Sequence, residues 1–367
     1  MDKTRIDKLA ALLRKEGLAG MLVCPSRELN FLTGFTPMMC ERFQGLFITA
    51  ENRCFYFCNR LYQSEIERAY GEAIKTYSWL DGESMTDAVG AVLAEYDLLG
   101  KTLGVNDSAQ AFNVLDIAKD CGLSFVNGKS LLEEIRIIKT PLEADGLRKS
   151  ARITDDVFTQ VLGFIKPGMK EADISQFLCK KMIEAGGLAP WAIVASGPNS
   201  SYPHYYGSGR IIEKQDLIIL DFGCSFNKMQ SDISRTVFVG GITDEQRMIY
   251  NLVLKANEAG EAAAVTGAFI PDVDKAARDI IDNAGYKENF ITRLGHGIGY
   301  MGHEGPDIKK NNPRNLEPGM AFSIEPGIYI AGKLGVRIED IVLTTETGNE
   351  ILNRSRKDIV IICPSSE

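Results

Sequence analysis

The sequence lacks the features of membrane, exported and nucleic-acid-binding proteins. No apolar run approaches the roughly 20 residues that a transmembrane helix needs. The first residues, Met1-Asp2-Lys3-Thr4-Arg5, lead directly into an amphipathic pattern without the apolar core of a signal peptide. The net charge of -8 gives no electrostatic reason to bind nucleic acid or an anionic membrane. We therefore expect a cytoplasmic protein that binds neither nucleic acid nor a membrane.

The cysteines and histidines of the chain do not form the paired pattern of a structural zinc site. The cysteines number 8, and the closest pair, Cys54 and Cys58, has no second pair to complete a structural zinc site. We expect all of these thiols to be reduced and structural, because free cysteine usually acts as a small buried apolar residue. The histidines number 3, and His204, His296 and His303 each lie in a glycine- or proline-rich segment. Any chemistry that needs imidazole must use these three.

What is present is an ordinary globular composition, 45% apolar and 25% charged, in a chain long enough for two domains. Up to about residue 135, short apolar runs such as 20–24 alternate with helical patterns, which predicts an α/β domain. The helix-breaking sequence Lys139-Thr140-Pro141 is the favoured boundary. Long helical patterns and acidic hairpins follow it. We expect an α/β domain at 1–137 and an α+β domain at 138–367.

Two acidic pairs in the second half are the most informative feature of the chain. Asp221 ends an apolar run and Asp232 follows shortly after, so a hairpin turning near Phe226-Asn227 would put the two carboxylates opposite each other. Glu325 and Glu339 repeat this pattern, with glycine at their midpoint. Like charges that face each other in a sheet are destabilising, and burying them costs more. The pattern predicts that both hairpins hold cations.

The ligand chemistry favours two metal ions. Four carboxylates carry four negative charges, which two divalent cations would balance. His296, in Gly295-His296-Gly297, is the expected fifth ligand and adds no charge when neutral. Oxygen-rich ligands with one imidazole suit Mn²⁺ best, and Co²⁺, Fe²⁺ or Zn²⁺ less selectively. We expect two divalent ions per chain.

These motifs resemble those of the pita-bread-fold metallopeptidases, in particular the branch of Xaa-Pro dipeptidase (prolidase) and aminopeptidase P. The resemblance covers most of 140–367 and, more weakly, the first 135 residues. It is carried by the segments 195–200, 216–223, 231–236, 294–299, 320–329 and 336–340. It implies a creatinase-like N-terminal α/β domain of ribonuclease-H type and a catalytic α+β pita-bread domain. It also implies short proline-containing peptides as substrates and a homodimer.

The resemblance assigns a role to each metal ligand. Asp221 would chelate one ion, Asp232 and Glu339 would bridge both, and His296 with Glu325 would complete the second site. A hydroxide bridging the two ions would attack the carbonyl of the bond before proline. Glu325 would act as the proton shuttle.

Three further residues receive roles in the same way. His204 and His303 are expected to contact the substrate and to stabilise the tetrahedral intermediate. Arg337 lies two residues before Glu339 and therefore on the same strand face. We expect it to orient a ligand carboxylate and to contribute to the substrate site.

Two positions depart from the pattern of this branch. Thr292 stands where members often carry a histidine, four residues before His296. Asp307 lies where dipeptidase members often carry an arginine that anchors the C-terminal carboxylate of the dipeptide. We expect Asp307 to repel that carboxylate, and tripeptides or longer Xaa-Pro peptides to be accepted along with dipeptides. The cations that could substitute for the arginine are Lys309, Lys310 and Arg314.

Three other functions stay open on the sequence. Methionine aminopeptidase shares the five ligands, although the N-terminal domain and the pattern around His204 argue against it. Thr292 and Asp307 leave room for a non-peptidase amide hydrolase or lyase on the same fold. A non-catalytic binding scaffold is the alternative of another class. Such relatives usually lose metal ligands, whereas this chain keeps all five.

Overall fold

The computed structural model describes residues 1–207 and 209–363. The chain forms two compact units, one at Met1–Arg136 and one that begins at Ile137. Among the described residues, no helix has both the length and the apolar composition that crossing a bilayer demands.

The first unit is built on one mixed sheet. Its strands are β1 Gly20–Val23, β2 Gly45–Thr49, β3 Cys54–Asn59, β4 Lys75–Trp79, β5 Thr102–Val105 and β6 Ser124–Asn127. Its helices are α1 Lys3–Lys15, α2 Arg27–Thr33, α3 Arg60–Tyr70, α4 Met85–Glu95, α5 Ala111–Cys121 and α6 Lys129–Glu134. The strand order is β4-β3-β2-β1-β5-β6. This unit is the α/β domain that the sequence predicted.

Aromatic packing stabilises the centre of this sheet. The strand β2 pairs antiparallel with both β1 and β3, whereas the outer pairs β3–β4, β1–β5 and β5–β6 are parallel. Phe47 and Phe55 are cross-strand partners, and their rings stack with centroids 4.8 Å apart. Both rings are fully buried, which adds aromatic contact to the area that they remove from water.

The second unit combines long helices with antiparallel sheets, as the prediction of an α+β domain requires. Its helices are α7 Pro141–Phe164, α8 Glu171–Glu184, α9 Asp244–Ala263 and α10 Ile270–Ile281. Its strands are β7 Leu188–Ser196, β8 Leu217–Phe226, β9 Met229–Gln230, β10 Ile233–Val239, β11 Gly295–Gly297, β12 Glu304–Ile308, β13 Ala321–Ile324, β14 Gly327–Ile330, β15 Leu334–Arg337, β16 Asp340–Thr345, β17 Gly348–Ile351 and β18 Ile361–Ile362.

These strands form two larger sheets and one isolated hairpin. One sheet has the order β18-β10-β8-β7, with β9 paired to β8, and the other has the order β12-β11-β13-β16-β17. The pair β14–β15 stands by itself. Helix α7 begins with a capping box, in which Thr140 and Glu143 each accept a hydrogen bond from the other's backbone N–H, and Pro141 is its first residue. These contacts fix the N-terminus of α7 at Pro141, near the beginning of the second unit.

The hairpin that carries Glu325 and Glu339 has the predicted centre. The pairs Ile324↔Asp340 and Gly327↔Arg337 belong to one register, which places Glu325 opposite Glu339 in the gap between the two ladders. In that gap the N–H of Glu325 donates to Leu294 O (2.7 Å) and the N–H of Glu339 donates to Ser234 O (3.0 Å). The two glutamates therefore join this hairpin to β10 and to the residue that precedes β11.

The hairpin of Asp221 and Asp232 differs from its prediction by two positions. Asp221 pairs with Ser234, and Phe226 pairs with Met229 across a two-residue turn. Both turn residues, Asn227 and Lys228, have positive φ values of 48° and 69°, as tight hairpin turns require. The expected turn one residue earlier is therefore wrong. An offset of two keeps both carboxylates on the same face, because side chains alternate with a period of two.

Candidate active site

A cavity of about 1140 Å³ lies in the second unit. Strands β8, β11 and β15, together with the residues that directly precede β10 and β16 and directly follow β13, bring polar side chains to its wall. All eight residues predicted for the site line this cavity: His204, Asp221, Asp232, His296, His303, Glu325, Arg337 and Glu339.

The carboxylates in this wall are buried and incompletely paired. Asp221, Asp232 and Glu339 are exposed by only 6%, 6% and 2%. Among the described residues, Asp221 Oδ1, Asp232 Oδ1 and Glu339 Oε1 have no hydrogen-bond partner. Because an unpaired buried carboxylate oxygen is costly, this donor set fits divalent cations.

The candidate ligand atoms fall into overlapping groups. Atoms of Asp221, Asp232 and Glu339 lie within 4.8 Å of one another, and so do atoms of His296, Glu325 and Glu339. Glu339 belongs to both groups. This overlap is the arrangement expected for two neighbouring ions that share a carboxylate.

Electrostatics give the same picture of a site made for cations. Burial, reinforced by Glu339 and Asp221, raises the pKa of Asp232 well above its usual range. Burial, reinforced by Glu325 and Asp221, likewise raises the pKa of Glu339. Burial and mutual repulsion thus favour the protonated forms of these carboxyl groups, and bound cations would favour the ionised forms.

His296 is prepared to act as a neutral ligand. Burial lowers its pKa to about 4. When its Nδ1 carries the ring proton, Nδ1 donates to Gly297 O at 3.1 Å, and Nε2 keeps its lone pair 3.3 Å from Glu325 Oε1. A Cβ at Gly295 or Gly297 would collide with the backbone of Ser323 or Gly305. The flanking glycines therefore let this strand pass between its neighbours.

Two serines that the sequence analysis did not single out form hydrogen bonds to the candidate ligands. Ser323 Oγ accepts from the N–H of His296 (3.1 Å) and donates to Glu325 Oε1 (3.1 Å). Ser234 Oγ donates to Glu339 Oε2 (2.8 Å). Ser323 lies two residues before Glu325, and Ser234 lies two residues after Asp232. Period-two spacing from a ligand was the signal that could have identified both.

Arg337 is a fully engaged guanidinium at the base of the site. Its Nη2 donates to Asp221 Oδ2 (2.6 Å) and its Nε donates to Ser234 Oγ (2.8 Å). Its Nη1 donates to Tyr329 Oη (2.7 Å) and to Pro203 O (3.1 Å). This geometry matches the expected orientation of a ligand carboxylate, here that of Asp221. A direct contact of Arg337 with substrate stays a prediction.

His303 and His204 are the more accessible histidines of the cavity. Both are exposed, and the His303 ring lies 4.0 Å from that of His296, centroid to centroid. Partial burial, with a contribution from His296, lowers the pKa of His303 to about 4. At neutral pH His303 is therefore an uncharged imidazole with one N–H to donate.

The two departures from the family pattern have different outcomes. Thr292 lines the cavity, as expected of the position that a histidine would fill. Asp307 is not among the residues that line the cavity, and it is not an unpaired negative charge, so the structure gives no support to the expected repulsion. Its two oxygens accept from Arg293 Nη1 (2.8 Å) and Lys309 Nζ (2.6 Å). Arg293, which the sequence analysis overlooked, lines the cavity in its place.

The similarity to known proteins agrees with this geometry. The model of the Creatinase/Prolidase N-terminal domain matches residues 5–138, and that of Metallopeptidase family M24 matches residues 145–346. The chain is 33% identical over 362 residues to the "Probable dipeptidase PepE" of Mycobacterium tuberculosis (strain ATCC 25618 / H37Rv), an alignment that covers 98% of this chain and 96% of the relative.

Solved structures give the same assignment. A prolidase from Thermococcus sibiricus superimposes with a TM-score of 0.91 at 34% identity, over 99% of this chain and 100% of that one. A Xaa-Pro dipeptidase from Bacillus anthracis gives a TM-score of 0.86 at 31% identity, over 98% and 99%. The resemblance carried by the sequence motifs is thus confirmed. This chain belongs to metallopeptidase family M24, as an enzyme with a creatinase/prolidase N-terminal domain and a pita-bread catalytic domain.

Proposed function

We propose that this enzyme hydrolyses the peptide bond before proline in Xaa-Pro dipeptides and short N-terminal Xaa-Pro peptides, using two divalent metal ions. The observation that carries the proposal is the overlap of two ligand groups at Glu339 within one cavity. The specificity for proline is supported by relatives whose names are prolidase and Xaa-Pro dipeptidase.

The metal ions would be held by the five predicted ligands. Asp221 would serve one ion, His296 and Glu325 the other, and Asp232 and Glu339 both. Bound divalent ions supply a nucleophile from water at neutral pH and polarise the scissile carbonyl. The donor set of carboxylates with one imidazole favours Mn²⁺, with Co²⁺, Fe²⁺ and Zn²⁺ as the alternatives to compare.

The side chains of the cavity would bind the peptide and move the proton. Burial raises the pKa of Glu325, which suits its carboxylate to take a proton and then give it to the nitrogen of the leaving proline. His303 is neutral at pH 7 and can donate its N–H to the carbonyl oxygen as negative charge develops there. His204 lines the same cavity and is proposed as a second contact to the substrate.

Peptide hydrolysis by the metal-loaded protein tests this function. The protein, stripped with a chelator and reloaded with Mn²⁺, is incubated with Ala-Pro, Ala-Pro-Ala and Ala-Ala, and the products are identified by mass spectrometry. We expect cleavage before proline and little cleavage of Ala-Ala. Glu325→Gln, which removes the proton carrier, is the inactive control. Equal cleavage of Ala-Ala and Ala-Pro would refute the proline specificity.

Adding a peptide that begins with methionine and contains no proline lets the same experiment separate the alternative functions. Removal of an N-terminal methionine from a peptide without proline would support a methionine aminopeptidase. Binding of the peptides without any product would support a scaffold. A homodimer and a cytoplasmic location stay predictions, and light scattering on the purified protein tests the first of them.

A further inference from the structure

The carboxylate of a Xaa-Pro dipeptide creates an electrostatic problem, if the proposed function holds. This carboxylate belongs to the proline itself, so it enters the cavity together with the scissile bond. The cavity wall already contains the carboxylates of four ligands. A carboxylate taken out of water without a partner is costly, so the cavity needs an uncommitted cation.

Among the described residues that line the cavity, the permanently charged cations are Arg293 and Arg337. The Arg337 side chain is only 4% exposed and donates to four protein groups, including Asp221. It is committed to the base of the metal site. Lys309, Lys310 and Arg314, the cations considered from sequence, are not part of the lining.

Arg293 has the accessibility and the free donors that a carboxylate anchor needs. Its side chain is 34% exposed, and it lies three residues before the ligand His296. Its Nη1 donates to Asp307 Oδ1 at 2.8 Å. Within residues 1–207 and 209–363, Nε and Nη2 have no hydrogen-bond partner. One edge of the planar fork therefore remains available for bidentate binding.

The partners of Arg293 hold it in place without cancelling its charge. Asp307 Oδ2 accepts from Lys309 Nζ at 2.6 Å, so the cluster of Arg293, Asp307 and Lys309 has a net charge of +1. The backbone carbonyl of Asp307 accepts from Asn312 Nδ2 at 2.7 Å, which fixes the segment that carries the carboxylate. Asp307 is thus placed to orient the arginine.

Arg293 shares its cavity with the groups proposed to act on the substrate. It lines the same cavity as His303 and Glu325, and it lies three residues before His296, whose ring is 4.0 Å from that of His303, centroid to centroid. An anion held by Arg293 would therefore lie in the cavity that receives the scissile bond.

We propose that Arg293 binds the C-terminal carboxylate of the dipeptide substrate, with Asp307 as its positioning residue. The carboxylate anchor, Arg293, then lies just before His296 in the chain, and Asp307, which follows His303, holds the arginine in position. On this assignment Asp307 assists dipeptide binding and does not oppose it.

Paired substrates with and without the carboxylate test the proposal. We would measure kcat and KM for Ala-Pro and for Ala-Pro-amide with wild type, Arg293→Met and Lys310→Met. Wild type should prefer the acid by about 10- to 100-fold in kcat/KM, the range expected for hydrogen bonds between charged groups. Arg293→Met should lose this preference through KM and still cleave the amide. Lys310→Met, which removes a neighbouring exposed cation, should match wild type.

A second variant and a binding measurement keep the proposal falsifiable if Arg293→Met folds poorly. Asp307→Asn retains the cation without its positioning partner and should reduce the acid preference several-fold. Calorimetry should give weaker binding of proline, but not of prolinamide, to either variant. An unchanged acid-to-amide ratio together with unchanged proline binding would overturn the proposal. If wild type cleaves neither substrate, the proposed function fails, and proline binding by itself decides the role of Arg293.

Discussion

Replacing Ser234 by alanine should weaken both the fold and the metal site, although Ser234 is not a predicted ligand. Its side chain is fully buried. It donates to Glu339 Oε2 and accepts from Arg337 Nε, each at 2.8 Å. Hydrogen bonds to charged groups contribute about 1.5–3 kcal/mol each. Because the two partners lose this bond without gaining water, we expect Ser234→Ala to lower the free energy of unfolding by about 3 kcal/mol.

Ser150→Ala is the matched control for this change. Ser150 is also fully buried, but it bonds to neutral carbonyls, those of Leu147 (3.0 Å) and Gln230 (3.2 Å). We expect its loss to cost about 1 kcal/mol, because neutral hydrogen bonds contribute less. Denaturant unfolding of the two variants side by side, in chelator, measures this difference.

The metal affinity of the same two variants provides the second readout. Ser234 orients a carboxylate that serves both proposed ions, and loss of such an outer partner typically costs 10- to 100-fold in metal affinity. We expect calorimetric titration with Mn²⁺ to give that reduction for Ser234→Ala and none for Ser150→Ala. Equal unfolding energies and equal affinities for the two variants would refute the argument that the serine hydroxyl orients Glu339.

Three further predictions follow from the charges of the second unit. Elemental analysis of the wild type should give about two metal ions per chain. Asp232→Ala and Glu339→Ala should lower this metal content more than the removal of any other proposed ligand. The raised pKa values of Asp232 and Glu339 mean that the folded, metal-free protein keeps protons that the unfolded chain releases above about pH 4. The stability of the metal-free protein should therefore fall as the pH rises from about 4 toward the raised pKa values. Over the same pH range, the gain in Tm on adding Mn²⁺ should grow. Arg235 is fully buried and donates to Asp340 Oδ1 at 2.6 Å, and Lys357 Nζ contacts the other oxygen of this carboxylate at 2.7 Å. Because Lys357 would remain, Arg235→Met should cost about 3 kcal/mol in urea unfolding, the lower end of the range for breaking a buried ion pair. Arg148→Met, which breaks a pair whose side chains are 34% exposed, should cost under about 1 kcal/mol.

The four acidic residues were predicted from a local pattern that the fold preserves, whereas the roles of His204 and His303 were implied by the resemblance. Asp221 ends the buried apolar run 217–220, and Glu325 directly follows the buried strand β13. Such a residue has few explanations other than a cation, because burial penalises its charge. The face on which each carboxylate lies follows from period-two alternation and tolerates a register error of two. This explains why predicting the turn at Phe226-Asn227 instead of Asn227-Lys228 did not change which side chains share the cavity.

Other features depend on contacts that the local pattern does not encode. Arg293 and Asp307 are separated by 14 positions, and their pairing follows from how strands β11 and β12 align. In the first unit, the strands were visible as apolar runs. Their order, with β1 between β2 and β5, depends on pairing between distant segments. Parallel pairs in particular have no turn from which a register can be read.

The shared register of β13–β16 and β14–β15 restricts where this part of the chain can gain or lose residues in evolution. A single insertion within Gly327–Ile330 would shift one arm by one position and turn its ligand to the opposite face. The same insertion at Gly332, where φ is 68°, would only lengthen the turn. Relatives that keep both glutamates should therefore differ in length at the tip of this hairpin, and not between the tip and either glutamate.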